Sequence, residues 1–302
     1  MRLKEPFRNT WVALALSAIL FAFGDISRAT ENFTVETATK AASQHDPEAQ
    51  YFLAGCYAKG KGVPQDYARA AEYLRQAAEQ GMAFAQNDLG SFYAKGLGVK
   101  TDFAAAANWY RKAAEQGDPL AQYSLGRIYA LGRGAPKDMD EAIKWYRKSA
   151  EQNQPEAQNA LGQIYFYGSC GETNYVAAAH WLRRAAEQDY VGAMNNLGLQ
   201  YQYGWGVNRD ANEAVKWYRA GAEKGDAKAQ ANLGTMYQDG LGVSRDPVQA
   251  YAWFSLGASQ GDPVAIHFVD DYDLHNRLTP EQLKEAQRLV REYRVRHAKS
   301  NG

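Results

Sequence analysis

Apolar positions recur along this chain with a fixed period of 36 residues, and within each period they follow a helical spacing. In the second period Ala85, Leu89, Phe92 and Tyr93 lie at i, i+4, i+7 and i+8, on one face of a helix. A second helical stripe begins at Ala106, and glycines follow both stripes and end them. The pattern therefore predicts two helices, helix A and helix B, in every period.

This 36-residue period occurs six times in succession with no insertion or deletion. A fixed repeat of this length indicates an array in which each unit buries its apolar face against its neighbours. We therefore expect an all-α fold of six helix hairpins whose function lies on an extended surface. The invariant tyrosine near the end of helix A is Tyr57, Tyr93, Tyr129, Tyr165, Tyr201 and Tyr237.

Small residues inside helix A predict how the hairpins pack. A mid-helix glycine costs ~1 kcal/mol relative to alanine, so we expect each one to admit a neighbouring helix. We predict that the aromatic series on helix B fills this contact. The glycines are Gly90, Gly126, Gly162, Gly198 and Gly234, and the aromatic series is Tyr73, Trp109, Trp145, Trp181, Trp217 and Trp253.

The repeat resembles a known family. The pattern Ala-x-x-x-Leu-Gly-x-x-Tyr-x-x-Gly-x-Gly-Val, then Asp, then Ala-x-x-Trp-Tyr-x-x-Ala-Ala is similar to the Sel-1-like repeat, a branch of the tetratricopeptide superfamily. The resemblance implies a right-handed α-solenoid and a scaffold that docks other proteins. Two positions depart from the pattern. Ala54 replaces the mid-helix glycine of the first repeat, and Gly168-Ser169-Cys170-Gly171 replaces the turn of the fourth, which we expect to differ locally.

The first 29 residues differ from the repeats. Basic residues precede an apolar run from Trp11 to Phe23, and Ser27-Arg28-Ala29 offers small residues at a cleavage site. This is the plan of a secretory signal peptide. The run is shorter than the ~20 residues that span a bilayer. We expect cleavage after Ala29 and export to the periplasm or outside, with an uncleaved membrane anchor as the alternative.

Four segments are thus predicted. They are a signal peptide over residues 1–29, an N-terminal half-repeat over 30–48, six repeats over 49–263 and a C-terminal capping segment over 264–302. Terminal units of a repeat array need a polar outer face. We therefore interpret the basic side of the last helix as a solvated cap.

Charge and cysteine content narrow the function further. The 34 basic and 34 acidic residues balance, which argues against a general nucleic-acid binder. The two cysteines, Cys56 and Cys170, are three repeats apart, so we expect no disulfide between them. Cys56 also ends a lipoprotein-like box, but its place inside the first repeat helix favours a chance match.

Catalytic and metal signals are weak. Gly257-Ala258-Ser259-Gln260-Gly261 matches a nucleophile elbow, but that motif needs a strand before it and this segment ends a helix. His267, Asp271 and His275 are spaced one helical turn apart, which also occurs in polar connections. We predict no catalytic residue, no metal site and no cofactor.

The candidate partner-binding face is the part of helix A that differs among the repeats. Four positions on helix A vary while the scaffold positions stay fixed, and they share one face. Aromatic and amide residues gather there in repeats three to five, and both suit peptide recognition. The candidate partner-binding residues are Tyr123, Arg127, Asn159, Gln163, Phe166, Tyr167, Asn195, Gln202, Tyr203 and, in the following turn, Trp205.

We therefore predict an exported, non-enzymatic adaptor that binds a protein or peptide partner of unknown identity. Nucleic acid and stable membrane insertion after signal cleavage are not expected. The alternative is a hydrolase on the same scaffold, esterase-like through Ser259 or β-lactam-processing as in disulfide-rich relatives of the family.

Overall fold

The computed structural model describes residues 33–169, 171–270 and 278–300, and over these ranges the chain forms helices and no strand. The described residues divide into two compact units, one up to residue 138 and one from residue 139. The predicted signal peptide and Cys170 lie outside the described residues, as do Asp271 and His275 of the polar connection.

The first unit contains six described helices. They are α1 Val35–Ala42, α2 Pro47–Lys59, α3 Tyr67–Glu79, α4 Ala83–Lys95, α5 Phe103–Glu115 and α6 Pro119–Leu131. Helices α2, α4 and α6 are the A helices of repeats one to three, and α3 and α5 are B helices.

The second unit contains nine described helices. They are α7 Met139–Glu151, α8 Pro155–Tyr167, α9 Tyr175–Ala186, α10 Val191–Tyr203, α11 Ala211–Glu223, α12 Ala227–Asp239, α13 Pro247–Ser259, α14 Pro263–Asp270 and α15 Pro280–Ser300. Helix α7 is the B helix of repeat three. Repeats four, five and six are the pairs α8–α9, α10–α11 and α12–α13, and every hairpin packs on the next within its unit.

Helix ends follow from the residues that the sequence places there. The carboxylate of Asp118 accepts a hydrogen bond from the Ala121 amide at 2.6 Å, and Pro119 occupies the first helical position. At the other end of the same helix Gly132 is left-handed, with φ 67°, and closes the helix. The glycine ends predicted from the sequence are thus present, and an Asp-Pro cap begins the helix.

The mid-helix glycines do admit a neighbouring helix, but the prediction of which side chain fills the space was wrong. A Cβ on Gly90 would lie 2.9 Å from the ring of Tyr110, and one on Gly198 would lie 2.5 Å from the ring of Tyr218. These residues follow the tryptophan by one position. Trp109 itself is only partly buried, and the Lys112 ammonium lies 4.2 Å from the centre of its ring.

The second glycine of each turn positions the turn against the preceding repeat. Gly98 has φ +63°, and a Cβ there would meet the Tyr67 carbonyl oxygen at 2.2 Å. Gly206 stands in the same relation to Tyr175. Because both contacts are with backbone, only glycine fits. The fourth repeat has Cys170 in place of this second glycine. In the same turn, Gly171 donates its amide to the Gly168 carbonyl at 3.0 Å.

A glutamine ladder, not predicted from the sequence, also joins the repeats within each unit. Gln86 donates its side-chain amide to the Ala78 carbonyl at 3.0 Å and accepts one from Gln116 at 2.8 Å. The pairs Gln158 with Gln188 and Gln230 with Gln260 repeat the side-chain bond at 2.7 and 2.9 Å. These bonds satisfy buried amide groups that would otherwise be costly.

The two ends of the array are covered by helices. Helix α1 buries Ala38 against the first repeat. On α15, Tyr293 stacks on Trp253 with ring centres 4.2 Å apart and donates its hydroxyl to Gln249 at 3.0 Å. Arg288 on the outer side pairs with Glu285 and Glu292. None of the described helices is long and apolar enough to cross a membrane.

Candidate partner-binding surface

Five aromatic side chains of the second unit lie in contact around the ends of two A helices. We name them the aromatic patch: Phe166 and Tyr167 in the last turn of α8, Tyr175 at the start of α9, Tyr203 at the end of α10 and Trp205 in the turn that follows. All five belong to repeats four and five. They therefore form a local surface built from two neighbouring hairpins.

Trp205 is at the centre of the aromatic patch. Its ring stacks on Tyr203 at a centroid distance of 4.8 Å and an interplanar angle of 27°, and on Tyr175 at 5.7 Å and 16°. Phe166 meets Trp205 edge-on at 5.4 Å and Tyr167 at 5.0 Å. Such stacked and edge-on pairs are the favoured arrangements of aromatic rings.

Two left-handed glycines fix the position of Trp205. Gly204, with φ 74°, ends helix α10, and Gly206, with φ 71°, packs on the backbone of Tyr175. The tryptophan between them is thereby placed against the start of α9. Tyr175 was missed as a patch residue in the sequence. The signal that would have found it is this turn glycine, which contacts the first residue of the preceding B helix.

The outer rings of the aromatic patch are open to solvent. Tyr167 is 53% exposed and Tyr203 is 54% exposed, while Phe166, Tyr175 and Trp205 are partly buried. Partial burial raises the pKa of Tyr167 above its ordinary value, so its hydroxyl stays protonated at neutral pH. Large exposed aromatic rings in one place are typical of interaction surfaces.

Gln202 lies beside the aromatic patch with its amide group held in one orientation. The hydroxyl of Tyr218, which is fully buried, donates to the Gln202 Oε1 at 2.6 Å. Burial, and secondarily Tyr203, raises the pKa of Tyr218, so this hydroxyl remains a donor. The bond to Tyr218 uses one lone pair of the Gln202 oxygen and orients the amide, whose two N–H groups are hydrogen-bond donors.

The two predicted asparagines lie deeper than the aromatic rings. Asn159 is 8% exposed and Asn195 is 6% exposed. The oxygen of Asn195 accepts a hydrogen bond from the Asn232 amide at 2.7 Å, which links two neighbouring A helices. Gln163 is partly buried on α8. The asparagines are thus buried beneath the more exposed residues of the helix A face.

The remaining predicted residues, Tyr123 and Arg127, belong to the first unit. Both are partly buried on α6, and the Arg127 guanidinium lies 5.8 Å from the centre of the Tyr123 ring. That distance is within the range of a cation–π contact. The structure thus places Tyr123 and Arg127 in contact within the first unit. In the second unit it groups Phe166, Tyr167, Gln202, Tyr203 and Trp205.

One A helix of the first unit, α4, carries a buried carboxyl group. Asp88 is 7% exposed, accepts a hydrogen bond from the Tyr51 hydroxyl at 2.8 Å and one from the Asn87 amide at 3.3 Å. Burial is the main cause that raises the pKa of Asp88 to about 7, and the nearby Asp118 adds to it. The hydrogen bonds act in the opposite direction.

The weak catalytic motif ends a helix in the structure. Ser259 is the last residue of α13 and donates its hydroxyl to the Leu256 carbonyl at 2.8 Å. Cys56 is buried within α2, where desolvation raises the pKa of its thiol. Among the described residues no cluster of three potential metal ligands is found.

The repeat pattern itself decides the family. The Sel1 repeat profile matches six consecutive segments, residues 47–82, 83–118, 119–154, 155–190, 191–226 and 227–262. The chain belongs to the Sel1 repeat family. Sel1 repeat proteins are generally scaffolds for protein interactions. The resemblance proposed from the sequence is thereby confirmed.

Two solved structures are similar to this Sel1 repeat chain. One is c5321, a protective antigen present in uropathogenic Escherichia coli strains, with 35% identity, a TM-score of 0.78 and 89% of this chain covered. This chain spans 57% of that protein. The other is a Sel1 repeat protein from Oxalobacter formigenes, with 36% identity, a TM-score of 0.69, and coverage of 80% of this chain and 96% of that one. No curated protein matches significantly.

Proposed function

We propose that this chain is an exported, non-enzymatic adaptor that docks an extended segment of a partner protein on its A helices, with the aromatic patch as the main contact. The observation that carries the proposal is the pair of exposed rings, Tyr167 and Tyr203, grouped around the partly buried Trp205. Tyrosine and tryptophan are enriched among the residues that dominate binding energy at interfaces. The scaffold role general to the family supports it.

The chemistry of the aromatic patch suits a polypeptide. Its rings can cover apolar parts of a segment, and the oriented amide of Gln202 can donate to a backbone carbonyl. The aromatic patch and Gln202 include no acidic or basic side chain, which agrees with the balanced charge of the whole chain. Nucleic acid would instead require a cluster of positive charge.

The contribution of Tyr123 and Arg127 is proposed separately. They occupy on α6 the same two positions of the repeat that Asn159 and Gln163 occupy on α8. An aromatic ring with an adjacent guanidinium would bind an acidic or aromatic group of a partner. Replacing Arg127 by alanine should then weaken binding without affecting contacts made by the second unit.

Export is proposed from residues 1–29. The basic start, the apolar run and the small residues before Thr30 support cleavage after Ala29. N-terminal sequencing of the protein recovered from cell fractions tests this. A mature chain beginning at Thr30 outside the cytoplasm is expected, and an intact Met1 in cytoplasmic protein would contradict it.

Affinity capture tests the adaptor function. Tagged wild-type protein, the Tyr167→Ala/Tyr203→Ala variant and an Asp239→Ala control are used to capture proteins from the native envelope, followed by quantitative mass spectrometry. Asp239 occupies in repeat six the position of Tyr203 in repeat five and is also exposed. A partner retained by wild type and control but lost by the double variant is expected. Equal recovery in all three would contradict the assignment of the aromatic patch.

A further inference from the structure

We propose that the A helices of the first unit bind an acidic segment of a partner protein between Lys95 and Arg127, and that Asp88 takes up a proton when this segment binds. The inference rests on the proposed adaptor function and deepens the role given there to Arg127. It is carried by two features of the first unit. The first is a pair of cations on neighbouring A helices, and the second is a buried carboxyl group on the same helix face.

Lys95 and Arg127 lie on two A helices, α4 and α6, that a buried tyrosine links. The Tyr110 hydroxyl forms side-chain hydrogen bonds with Ser91 of α4 and Ser124 of α6. Burial raises the pKa of Tyr110 to about 12, and Arg127 is near enough for its charge to act in the opposite direction. Lys95 follows Ser91 by one helical turn on the same face of α4. Both cations therefore lie next to the same polar contact.

The positive charges of Lys95 and Arg127 act on each other. Partial burial is the main cause that lowers the pKa of Lys95, the Asp88 carboxyl raises it, and the Arg127 guanidinium lowers it. Both cationic side chains are partly buried, so solvent screens their repulsion incompletely. A partner carboxylate placed between them would be attracted by both, and a guanidinium can bind it through two parallel hydrogen bonds. The pair is therefore complementary to an acidic side chain.

Further positive charge on the same face favours a segment with more than one acidic residue. Lys59 ends α2 at the position that Lys95 holds on α4, and Lys59 is exposed. A second acidic side chain of an extended segment would meet this lysine. The charge of the whole chain is balanced, which favours a short acidic segment over nucleic acid as the occupant.

Asp88 couples this site to pH. It precedes Lys95 by nearly two turns on the same face of α4, and its carboxyl accepts a hydrogen bond from the Tyr51 hydroxyl at 2.8 Å. Burial is the main cause that raises the pKa of Asp88 to about 7, so its protonated and ionised forms coexist at neutral pH. A carboxylate bound at Lys95 repels the ionised form only. Binding therefore raises the pKa of Asp88 further, and a proton is taken up.

Other ionisable groups around Asp88 must be separated from it in the test. Partner carboxylates stay ionised well above pH 5, so they do not titrate near neutral pH. Loss of a proton from Lys95 would weaken binding in the same direction as loss of one from Asp88. Helix α3, which also packs on α4, directs Arg75 to the Tyr93 hydroxyl. The groups around Asp88 are Tyr51 of α2, Lys95 of α4, Tyr110 of α5, Asp118 at the start of α6 and Arg127 of α6.

A random dodecapeptide library displayed on phage tests the site with the full chain. Peptides selected on wild type at pH 6 are counter-selected on Lys95→Gln/Arg127→Gln, shown to be folded by circular dichroism, so that only peptides that depend on these cations are kept. Enrichment of peptides with two or more acidic residues is expected. These peptides should still bind Lys100→Gln/Lys112→Gln, which removes the same charge from exposed positions of the first unit. Kept peptides without acidic residues would overturn the inference.

A parallel counter-selection on Tyr167→Ala/Tyr203→Ala separates this inference from the proposed function. Peptides that depend on the aromatic patch, with none that depend on Lys95 and Arg127, would overturn the inference and leave the proposed function standing. A lack of enrichment that depends on either pair of residues would contradict both.

Calorimetric titration with the most enriched acidic peptide tests the proton uptake by Asp88. Wild type should lose about threefold or more in affinity between pH 6 and pH 8, the loss expected if binding raises the pKa of Asp88 by more than about half a unit. Asp88→Asn resembles the protonated form and should keep the pH 6 affinity of wild type at both pH values. A pH dependence that persists in folded Asp88→Asn would assign it to Lys95 and overturn the proton uptake. Equal affinity of wild type at both pH values would also overturn it.

Discussion

Repeats five and six of the second unit share one backbone and differ in surface chemistry. Repeat five has Gln202-Tyr203-Gly204-Trp205-Gly206, and repeat six has Gln238-Asp239-Gly240-Leu241-Gly242. The glycines are left-handed in both turns. The aromatic residues are present only in repeat five. The comparison teaches that the period fixes the backbone, while the variable positions decide which repeats present a binding surface.

One buried residue gives Gln202 and Gln238 different hydrogen-bonding environments. Tyr218 donates to Gln202 in repeat five, whereas repeat six has Phe254 at the equivalent position. Within the described part of the chain the oxygen of Gln238 is buried without a hydrogen-bond partner. The same amide is therefore oriented in one repeat and unsatisfied in the other.

The largest effect is expected for the buried ring that fills the glycine contact. Tyr218→Ala should lower the free energy of unfolding by about 3–5 kcal/mol, because a fully buried aromatic side chain leaves a cavity. Phe254→Ala should cost a similar amount, since the two repeats share this contact. Chemical denaturation measures both. A loss below 1 kcal/mol in either variant would show that the ring does not support the scaffold.

A second prediction contrasts the first unit with repeats five and six. Asp88 occupies a position that is Asn196 in repeat five and Asn232 in repeat six. Its folded-state pKa of about 7 exceeds the unfolded value, so its protonated form stabilises the fold. This stability is full below about pH 4, the pKa of an unfolded Asp. It is lost as pH rises through about 7.

Asp88→Asn should remove that dependence. The variant and wild type should unfold at similar denaturant concentrations at pH 4, and the variant should be more stable by about 2–4 kcal/mol at pH 8. Denaturation of both proteins across this pH range provides the measurement. A stability difference that is the same at both pH values would contradict a raised pKa for Asp88.

The surface rings should affect binding rather than folding. Tyr167→Ala/Tyr203→Ala should weaken binding of the captured partner by about 2 kcal/mol or more, the threshold of an interface hot spot. The midpoint of thermal unfolding should barely move, because both rings are about half exposed. Calorimetric titration and thermal denaturation separate the two effects. Normal binding together with early melting would show that these rings belong to the core.

The smallest effect concerns the exchange of one hydroxyl between the repeats. Tyr218→Phe should cost about 1 kcal/mol, because it leaves the Gln202 oxygen without its donor. Phe254→Tyr should stabilise repeat six by a similar amount if its hydroxyl reaches Gln238. Denaturant titrations of the two variants would show shifts of opposite sign. Shifts of the same sign would contradict the pairing inferred from the comparison.

The sequence predicted the hairpins because the helical stripes and the glycines that end them are local signals. It did not predict that Tyr110 and Tyr218, rather than the preceding tryptophans, fill the glycine contact. The tryptophans and the residues that follow them both repeat every 36 residues, and one residue along a helix turns a side chain by about 100°. The period alone cannot show which of these two series points toward the neighbouring helix.

The aromatic patch was predicted in part. Phe166, Tyr167 and Tyr203 were found because they vary among repeats on one helix face, and Trp205 because it follows in the next turn. Tyr175 was missed because its contact with Trp205 joins a helix start to a turn of the next repeat. The burial of Asn159 and Asn195 was also not evident, since it depends on the distance between neighbouring A helices.

Site-specific photo-crosslinking tests the central claim most directly. A benzophenone amino acid is introduced at position 203 or, as the matched control, at position 239, and the protein is irradiated in a lysate of its native cells. The account predicts a partner adduct from position 203 and none from position 239, with the crosslinked peptide mapping to one extended segment. No adduct at position 203, or equal adducts at both positions, would contradict docking on the aromatic patch.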